Sequence, residues 1–132
     1  MTPNETANRE VVCLVDDDKA VLTSIARLLA SDGFAVRAFD QPERFLAHVK
    51  AHSVSVAILD IWMEHMTSRE VQAKLAKLSP HTRVIIMTGR KDPGAEQKAV
   101  ELGASAFFTK PFDDEQFLCA VHNALEEHIR NE

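Results

Sequence analysis

Short apolar runs and longer segments of helical periodicity alternate along this chain. The apolar, β-branched runs predict strands near residues 10–15, 34–39, 55–59, 83–88 and 105–109. Between them, apolar residues recur at intervals of three and four, which is typical of amphipathic helices. Strands that alternate with helices favour right-handed βαβ crossovers, so the pattern predicts a parallel sheet covered by helices on both faces.

Glycine and proline mark several of the helix boundaries. Gly33 is expected to end the first helix, and Pro42 suits the first turn of the second. Asp92 and Pro93 predict the N-cap and the first position of the fourth helix. The last helix is predicted to bury one stripe of residues at i, i+4 spacing: Phe117, Val121, Leu125 and Ile129.

Four of the predicted strands end at residues that phosphoryl chemistry could use. Asp16 and Asp17 follow the first strand, Asp60 follows the third, Thr88 ends the fourth and Lys110 follows the fifth. Ligands of open α/β sheets bind beyond the carboxyl ends of the strands. In the flavodoxin-like strand order 2-1-3-4-5, the first and third strands are neighbours, which would bring the three aspartates together. We therefore predict a three-layer α/β fold: a doubly wound, five-stranded parallel sheet in that order with five helices.

Three carboxylates at one place repel one another, so such a site needs a cation or must retain protons. Oxygen ligands of this kind favour Mg²⁺. A simpler interpretation is also open, in which residues 16–18 only cap the first helix, Lys110 forms an ordinary salt bridge and Thr88 is a strand-end threonine. The combination of these residues favours a function in phosphoryl transfer. A carboxylate nucleophile, a divalent cation, a hydroxyl and an amine are the groups needed to transfer a phosphoryl group to an aspartate.

Composition and charge argue against several classes of protein. The 132 residues fit one domain, and the net charge of −5 disfavours a nucleic-acid surface. No apolar run approaches the roughly 20 residues of a membrane span, and residues 1–10 contain no apolar stretch of the kind found in secretory signals, so we expect no such signal. Cys13 and Cys119 are expected to be buried thiols in a reducing cytosol rather than a disulfide. We therefore expect a cytoplasmic protein without direct contact to nucleic acid or membrane, and a flexible segment at residues 1–9.

Four short segments carry a resemblance to a known family. They are residues 14–18 (LVDDD), 59–63 (LDIWM), 86–89 (IMTG) and 109–112 (TKPF). In this order and spacing, the chain resembles the receiver domain of two-component response regulators from residue 11 to residue 125. Residues 88–94 and 110–114 look most like receivers of the nitrogen-fixation regulator group. The resemblance implies a receiver domain over residues 10–130.

The resemblance also implies a role for each acidic residue of the site. Asp60 would be the phosphoacceptor. Asp17 would bind Mg²⁺ directly and Asp16 mainly through water, with the backbone carbonyl of Trp62 as a further ligand. Asp18 would be outside the metal site, at the start of the first helix.

Three further residues would respond to the phosphoryl group. Thr88 would donate a hydrogen bond to it and move toward it, and Lys110 would pair with a phosphoryl oxygen beside a cis Lys110–Pro111 bond. Phe107 falls at the position of the family's aromatic rotamer switch. The resemblance implies that a sensor histidine kinase or phosphotransfer protein supplies the phosphoryl group.

The expected consequence is a change in the surface of the fourth helix, fifth strand and fifth helix, which would control a downstream protein or an output domain. A phosphorylation-dependent homodimer is compatible with this scheme. The domain is not expected to be an enzyme beyond assisting its own phosphorylation and dephosphorylation.

The chain departs from the family pattern at two positions, where Glu64 replaces the usual proline and Ser68 the usual glycine. Because of both departures, we expect the turn after Asp60 to differ in shape from the turn found in the family. Trp62 and Arg90 occupy variable positions that flank the site entrance in the family.

Two rival functions remain open at this point. A haloacid-dehalogenase-like phosphatase also begins with an apolar strand that ends in Asp-x-Asp, which Asp16 and Asp18 fit. The Gly-Thr that usually follows is replaced here by Lys19 and Ala20. The second rival is a receiver-like binding module that is never phosphorylated. The departure from the family pattern at Glu64 leaves this alternative open.

Overall fold

The computed structural model describes residues 11–63, 66–90 and 92–130. Within these ranges the strands are β1 Val11–Val15, β2 Ala35–Phe39, β3 Val56–Asp60, β4 Arg83–Thr88 and β5 Ala106–Thr109. The helices are α1 Lys19–Ser31, α2 Pro42–Ala51, α3 Ser68–Leu78, α4 Ala95–Glu101 and α5 Asp114–Arg130. The predicted strands are confirmed to within one residue at each described end. The predicted flexible segment at residues 1–9 lies outside the described residues.

The five described strands form one parallel sheet in the order β2-β1-β3-β4-β5, as predicted. Val15 at the end of β1 pairs with Leu59, and Asp60 at the end of β3 pairs with Met87. The carboxyl ends of β1, β3 and β4 are therefore side by side. This register brings the loops that follow these strands to a single edge of the sheet.

Helices cover the sheet on both faces, because alternate side chains of each strand point in opposite directions. α1 and α5 pack on one face, where the core includes Leu14, Ile58, Met87 and Phe117. α2, α3 and α4 pack on the other, where it includes Val15, Leu59, Ile86 and Phe45. Every residue of β3 is buried, as expected for a central strand of a parallel sheet. No helix in the described part of the chain is long and apolar enough to cross a lipid bilayer.

The boundaries of the first two helices follow the predicted signals. Asp18 is the N-cap of α1, and its Oδ1 accepts hydrogen bonds from the backbone N–H groups of Ala20 and Val21 at 3.0 and 3.3 Å. Gly33, with φ of 91°, terminates α1 in the left-handed conformation. Pro42 lies in the first turn of α2.

The predicted start of the fourth helix is wrong. α4 begins at Ala95, and its N-cap is Gly94 with φ of 84° rather than Asp92. Asp92 and Pro93 belong to a turn before the helix, in which the carbonyl of Asp92 accepts a hydrogen bond of 3.0 Å from Ala95 N–H. The left-handed residue between turn and helix shifts the start of the helix toward the C-terminus.

The buried stripe of α5 and the environment of one cysteine also differ from expectation. Phe117 and Val121 are buried as predicted, but Ile129 is 51% exposed and His128 is buried in its place. A strict spacing of four drifts around a helix of 3.6 residues per turn, which carries the fourth member of the stripe out of the core. Cys13 is buried as predicted, whereas Cys119 is exposed.

Candidate functional site

An acidic cluster lies at the edge of the sheet where β1 and β3 end. One carboxylate oxygen from each of Asp16, Asp17 and Asp60 lies within 4.8 Å of the other two. Asp16 and Asp60 are only 1% and 6% exposed, while Asp17 is open to solvent. The structure thus brings together the three aspartates that the sequence predicted to meet, and Asp17 gives the cluster an accessible side.

Lys110 reaches into this cluster from the end of β5. Its Nζ lies 3.0 Å from Oδ2 of Asp16 and 3.7 Å from Oδ1 of Asp60. Its backbone N–H donates a hydrogen bond of 2.7 Å to the carbonyl of Thr88, which fixes the end of β5 against β4. The Lys110–Pro111 bond is cis, as expected. The ammonium group of Lys110 therefore lies beside the two buried carboxylates of the cluster.

The pKa of Asp60 reflects its buried and acidic surroundings. It is raised from the ordinary value of 3.8 to about 6, first because burial disfavours the charged form and second because of the neighbouring charge of Asp16. Lys110 lowers the pKa, Asp17 raises it and the backbone N–H of Ile61 lowers it. Lys110 and the backbone N–H of Ile61 therefore do not offset burial and the neighbouring carboxylates, and the pKa of Asp60 stays above its ordinary value. Three oxygen donors with surplus negative charge suit a hard divalent cation, and the residues present could hold Mg²⁺.

Asp16 and Thr88 are already committed to local hydrogen bonds. Oδ1 of Asp16 accepts from the backbone N–H of Asp18 at 2.9 Å, while its Oδ2 faces Lys110. The hydroxyl of Thr88 donates to the carbonyl of Arg90 and accepts from the N–H of Arg90, both at 3.1 Å. Thr88 is the last residue of β4, the strand beside β3. A small change in the turn formed by residues 88–90 would therefore free its hydroxyl from Arg90.

The loops that follow β3 and β4 meet through Trp62 and Arg90. The Arg90 guanidinium carbon lies 5.3 Å from the centroid of the Trp62 ring, which is a cation–π geometry. Trp62 is 43% exposed, so this pair forms part of the surface rather than the core. The sequence placed both residues at the entrance but did not predict their contact. Glu64 lies outside the described residues, and Ser68 is a buried residue at the start of α3.

Phe107 and Phe108 lie on opposite faces of β5. Phe107 is half-buried and packs against the core under α2, α3 and α4. Phe108 packs on the other face, with its ring centroid 5.6 Å from that of Phe112 and 5.5 Å from that of Phe117. Phe107 therefore adjoins the face of the sheet that carries α4.

Two features near the site were not predicted. A groove of about 1000 Å³ runs between α1 and the segment after β5, and Val21, Ile25, Lys110 and Phe112 line it. Gln72 of α3 is buried and bonds to α4. The only sequence signal for Gln72 is that this polar residue falls on the apolar side of its helix.

Comparison with known proteins identifies the family. The model of the response regulator receiver domain matches residues 12–122. This chain belongs to the response regulator receiver family. Response regulator protein TmoT of Ectopseudomonas mendocina is 39% identical over 116 residues, which cover 88% of this chain and 53% of that protein.

Two further similarities agree with this assignment. Transcriptional regulatory protein FixJ of Azorhizobium caulinodans is 35% identical over 114 residues, covering 86% of this chain and 54% of FixJ. The crystal structure of a CheY-like receiver domain protein from Methanospirillum hungatei JF-1 has a TM-score of 0.86 at 26% identity, covering 93% of this chain and 98% of that one. The receiver thus spans about half the length of the curated relatives it matches. FixJ is thus among the relatives of this chain, but TmoT is more similar to it in sequence.

Proposed function

We propose that this receiver accepts a phosphoryl group on Asp60 and transmits its presence to a partner. The observation that carries the proposal is the position of Asp60. It ends the central strand, lies within 4.8 Å of the oxygens of two further carboxylates and has Lys110 Nζ 3.7 Å away. A sensor histidine kinase or a phosphotransfer protein would be the donor.

In the transfer step, a carboxylate oxygen of Asp60 attacks phosphorus. The bond from phosphorus to the donor nitrogen breaks, and the donor leaves with that electron pair, so Asp60 becomes an acyl phosphate. Only the ionised carboxylate is nucleophilic, and Lys110 favours that form because it lowers the pKa of Asp60 against the opposing effect of burial. After transfer, the ammonium of Lys110 would pair with a phosphoryl oxygen.

Asp16, Asp17, Asp60 and the carbonyl of Trp62 would hold Mg²⁺. When bound, the cation neutralises charge on the carboxylates and on the phosphoryl oxygens. The convergence of one oxygen from each of the three carboxylates supports this assignment, because like charges within 4.8 Å of one another repel and a cation between them removes that repulsion. The carbonyl of Trp62 as a ligand remains a prediction.

The geometry favours Asp60 over Asp16 as the acceptor. One oxygen of Asp16 accepts from Asp18 N–H and the other faces Lys110 at 3.0 Å. Asp18, which would be the second aspartate of a phosphatase, uses its side chain to cap α1. Both aspartates of the phosphatase rival therefore have structural tasks that compete with catalysis.

Phosphorylation would act at a distance through Thr88. Its hydroxyl would exchange the bonds to Arg90 for a bond to the phosphoryl group, and Phe107 would move into the space released. The surface of α4, β5 and α5 would change as a result and control a downstream protein, an output domain or a phosphorylation-dependent homodimer. α4 suits this part because only Ala95 and Ala99 of its residues are buried.

The groove beside Lys110 is the surface we assign to the phosphoryl donor. It reaches the site residue Lys110, and apolar side chains such as Val21 and Phe112 line its walls.

We further propose that the receiver works in the cytoplasm and that it is not an enzyme in its own right. Its residues assist only its own phosphorylation and dephosphorylation.

Mass spectrometry after incubation with acetyl phosphate and Mg²⁺ tests the proposal. We expect a single hydroxylamine-labile phosphate on Asp60, which Asp60→Asn abolishes. The control variant Asp32→Asn, at the opposite end of α1 from Asp18, should retain it. A label on Asp16 would support the phosphatase rival. Absence of any label on the wild type, with Mg²⁺ present, would support a binding module that is never phosphorylated.

A further inference from the structure

A buried glutamine joins α3 to α4. Gln72 is 3% exposed, and its Nε2 donates a hydrogen bond of 3.3 Å to the carbonyl of Ala99. Because a carbonyl oxygen only accepts, this contact fixes which end of the amide faces α4. The bond spans 27 residues of sequence, so it is a tertiary contact between the two helices.

The other end of the same amide is not satisfied within the described part of the chain. Oε1 of Gln72 is buried and has no hydrogen-bond partner there. A cavity of about 20 Å³ adjoins the side chain and also touches Ile61, Asp92 and Ala95. That volume accommodates roughly one water molecule. The joint between α3 and α4 is thus a polar, imperfectly packed contact next to the residue that follows Asp60.

α4 has few other attachments. It contains seven residues, its N-cap Gly94 has no side chain to cap it, and Val100 is 56% exposed. At its C-terminus, Ala104 N–H donates to the carbonyl of Ala99 and Gly103 N–H to that of Val100, both at 2.9 Å. The net free energy that one hydrogen bond contributes to stability is of the same order as the free energy gained by burying one alanine side chain. The bond from Gln72 to Ala99 is therefore comparable in free energy to the burial of one alanine of α4, and it ties this helix directly to α3.

We propose that Gln72 is a positioning residue that sets the affinity of the receiver for a phosphoryl group. Its bond to Ala99 would hold α4 in the arrangement in which Thr88 bonds to Arg90, and so would oppose the rearrangement that phosphorylation of Asp60 favours. A contact present in only one of two states shifts their equilibrium, and the ligand affinity changes by the same factor. This inference rests on the proposed function.

The test replaces Gln72 by methionine, which has a similar volume but neither the donor nor the orphaned acceptor. The matched control is Gln97→Met, because Gln97 is an exposed residue of α4 whose amide bonds to Glu101 within the same helix. Hydrogen exchange of α4 is measured without any phosphoryl mimic. The affinity for beryllofluoride with Mg²⁺ is measured from the fluorescence of Trp62, the single tryptophan.

We expect α4 amides to exchange about fivefold faster in Gln72→Met, and beryllofluoride to bind about fivefold more tightly, which is the ratio that one net hydrogen bond supplies. Gln97→Met should change neither quantity. Faster exchange with unchanged affinity would reduce Gln72 to a structural contact and overturn the proposal, as would no change in either.

A measurement on the wild type keeps the proposal testable if the variant does not fold. The amides of Gly103 and Ala104 should lose protection when beryllofluoride binds, because the end of α4 that Gln72 holds must be released. Unchanged or increased protection would contradict the proposal. If the wild type binds no beryllofluoride and takes no phosphate, the proposed function itself fails, which is a different result.

Discussion

The negative charge of Asp60 lowers the free energy of unfolding, because the folded chain buries it. Its side chain is buried, and burial together with the charge of Asp16 raises its pKa to about 6. In the unfolded chain the same carboxyl has an ordinary pKa near 3.8. The folded state therefore binds a proton more tightly than the unfolded state between these two values, and its stability falls as the pH rises from about 4 to about 6.

Asp60→Asn should stabilise the fold at pH 7.5 in the absence of divalent cations. The variant removes the buried charge, and the shift in pKa sets an upper bound of about 3 kcal/mol on the gain in free energy of unfolding. The gain should shrink as the pH falls from about 6 and approach zero below about pH 3, where Asp60 is protonated in both states. Urea unfolding in EDTA at several pH values measures it.

The exposed aspartate Asp114 provides the control for this prediction. Asp114→Asn removes a carboxylate from the first turn of α5 and should not stabilise the protein at any pH. An Asp60→Asn variant that is no more stable than the wild type at pH 7.5 would show that Lys110 and its neighbours compensate the buried charge fully.

At the scale of elements, the loops after β3 and β4 are joined by the contact of Arg90 with Trp62. Thr88 in turn bonds to the backbone of Arg90 through both its hydroxyl hydrogen and its oxygen. The pair thus links the wall of the site to the residue that we expect to move. If these residues flank the site entrance as they do in the family, we expect the pair to limit the access of water to an acyl phosphate on Asp60.

Arg90→Ala should shorten the lifetime of the phosphorylated receiver. Loss of an exposed cation–π contact is worth about 0.5–1 kcal/mol, which corresponds to a two- to fivefold faster hydrolysis if the contact limits access of water. The decay of label on Asp60 after removal of acetyl phosphate gives the rate. Lys98→Ala on the surface of α4 is the control, and a decay in Arg90→Ala as slow as in that control would refute a shielding role.

The elements that sequence predicted well are those decided by local pattern. β3 and β4 are nearly continuous apolar runs, and each ends where a polar residue begins, so Asp60 and Thr88 could be placed at strand ends and hence at one edge. The start of α4 could not be predicted, because Gly94 adopts a left-handed conformation that Asp92 and Pro93 do not signal. The bond from Gln72 to α4 depends on how two distant helices pack, and no local pattern encodes it.

At the scale of the whole molecule, the site lies at one edge of the sheet, between the helices of its two faces. The helices α4 and α5, which lie on opposite faces, are held against the sheet by unequal amounts of buried surface. α5 has 17 residues and buries Phe117, Val121 and Ala124. α4 has seven residues and buries two alanines. By apolar area, α4 is held far less firmly than α5. A rearrangement that begins at Thr88 therefore meets least resistance on the face of α4.

The acidic edge also links metal binding to the stability of the whole fold. The three aspartates come from β3 and the segment after β1, so they converge only when the sheet is formed. A cation that binds the folded state alone stabilises it by RT ln(1 + [L]/Kd). At a concentration 100 times Kd this amounts to about 2.7 kcal/mol.

Mg²⁺ should therefore raise the melting temperature of the wild type in a saturable manner, and Asp17→Asn should require at least about tenfold more Mg²⁺ for the same rise, because a ligand carboxylate is lost. Asp18→Asn is the matched control, since asparagine still caps α1 and Asp18 lies outside the cluster. Thermal melts followed by Trp62 fluorescence at increasing Mg²⁺ measure both. Equal responses of Asp17→Asn and Asp18→Asn would mean that Mg²⁺ only screens the general negative charge of this edge, and would remove Asp17 from the metal site.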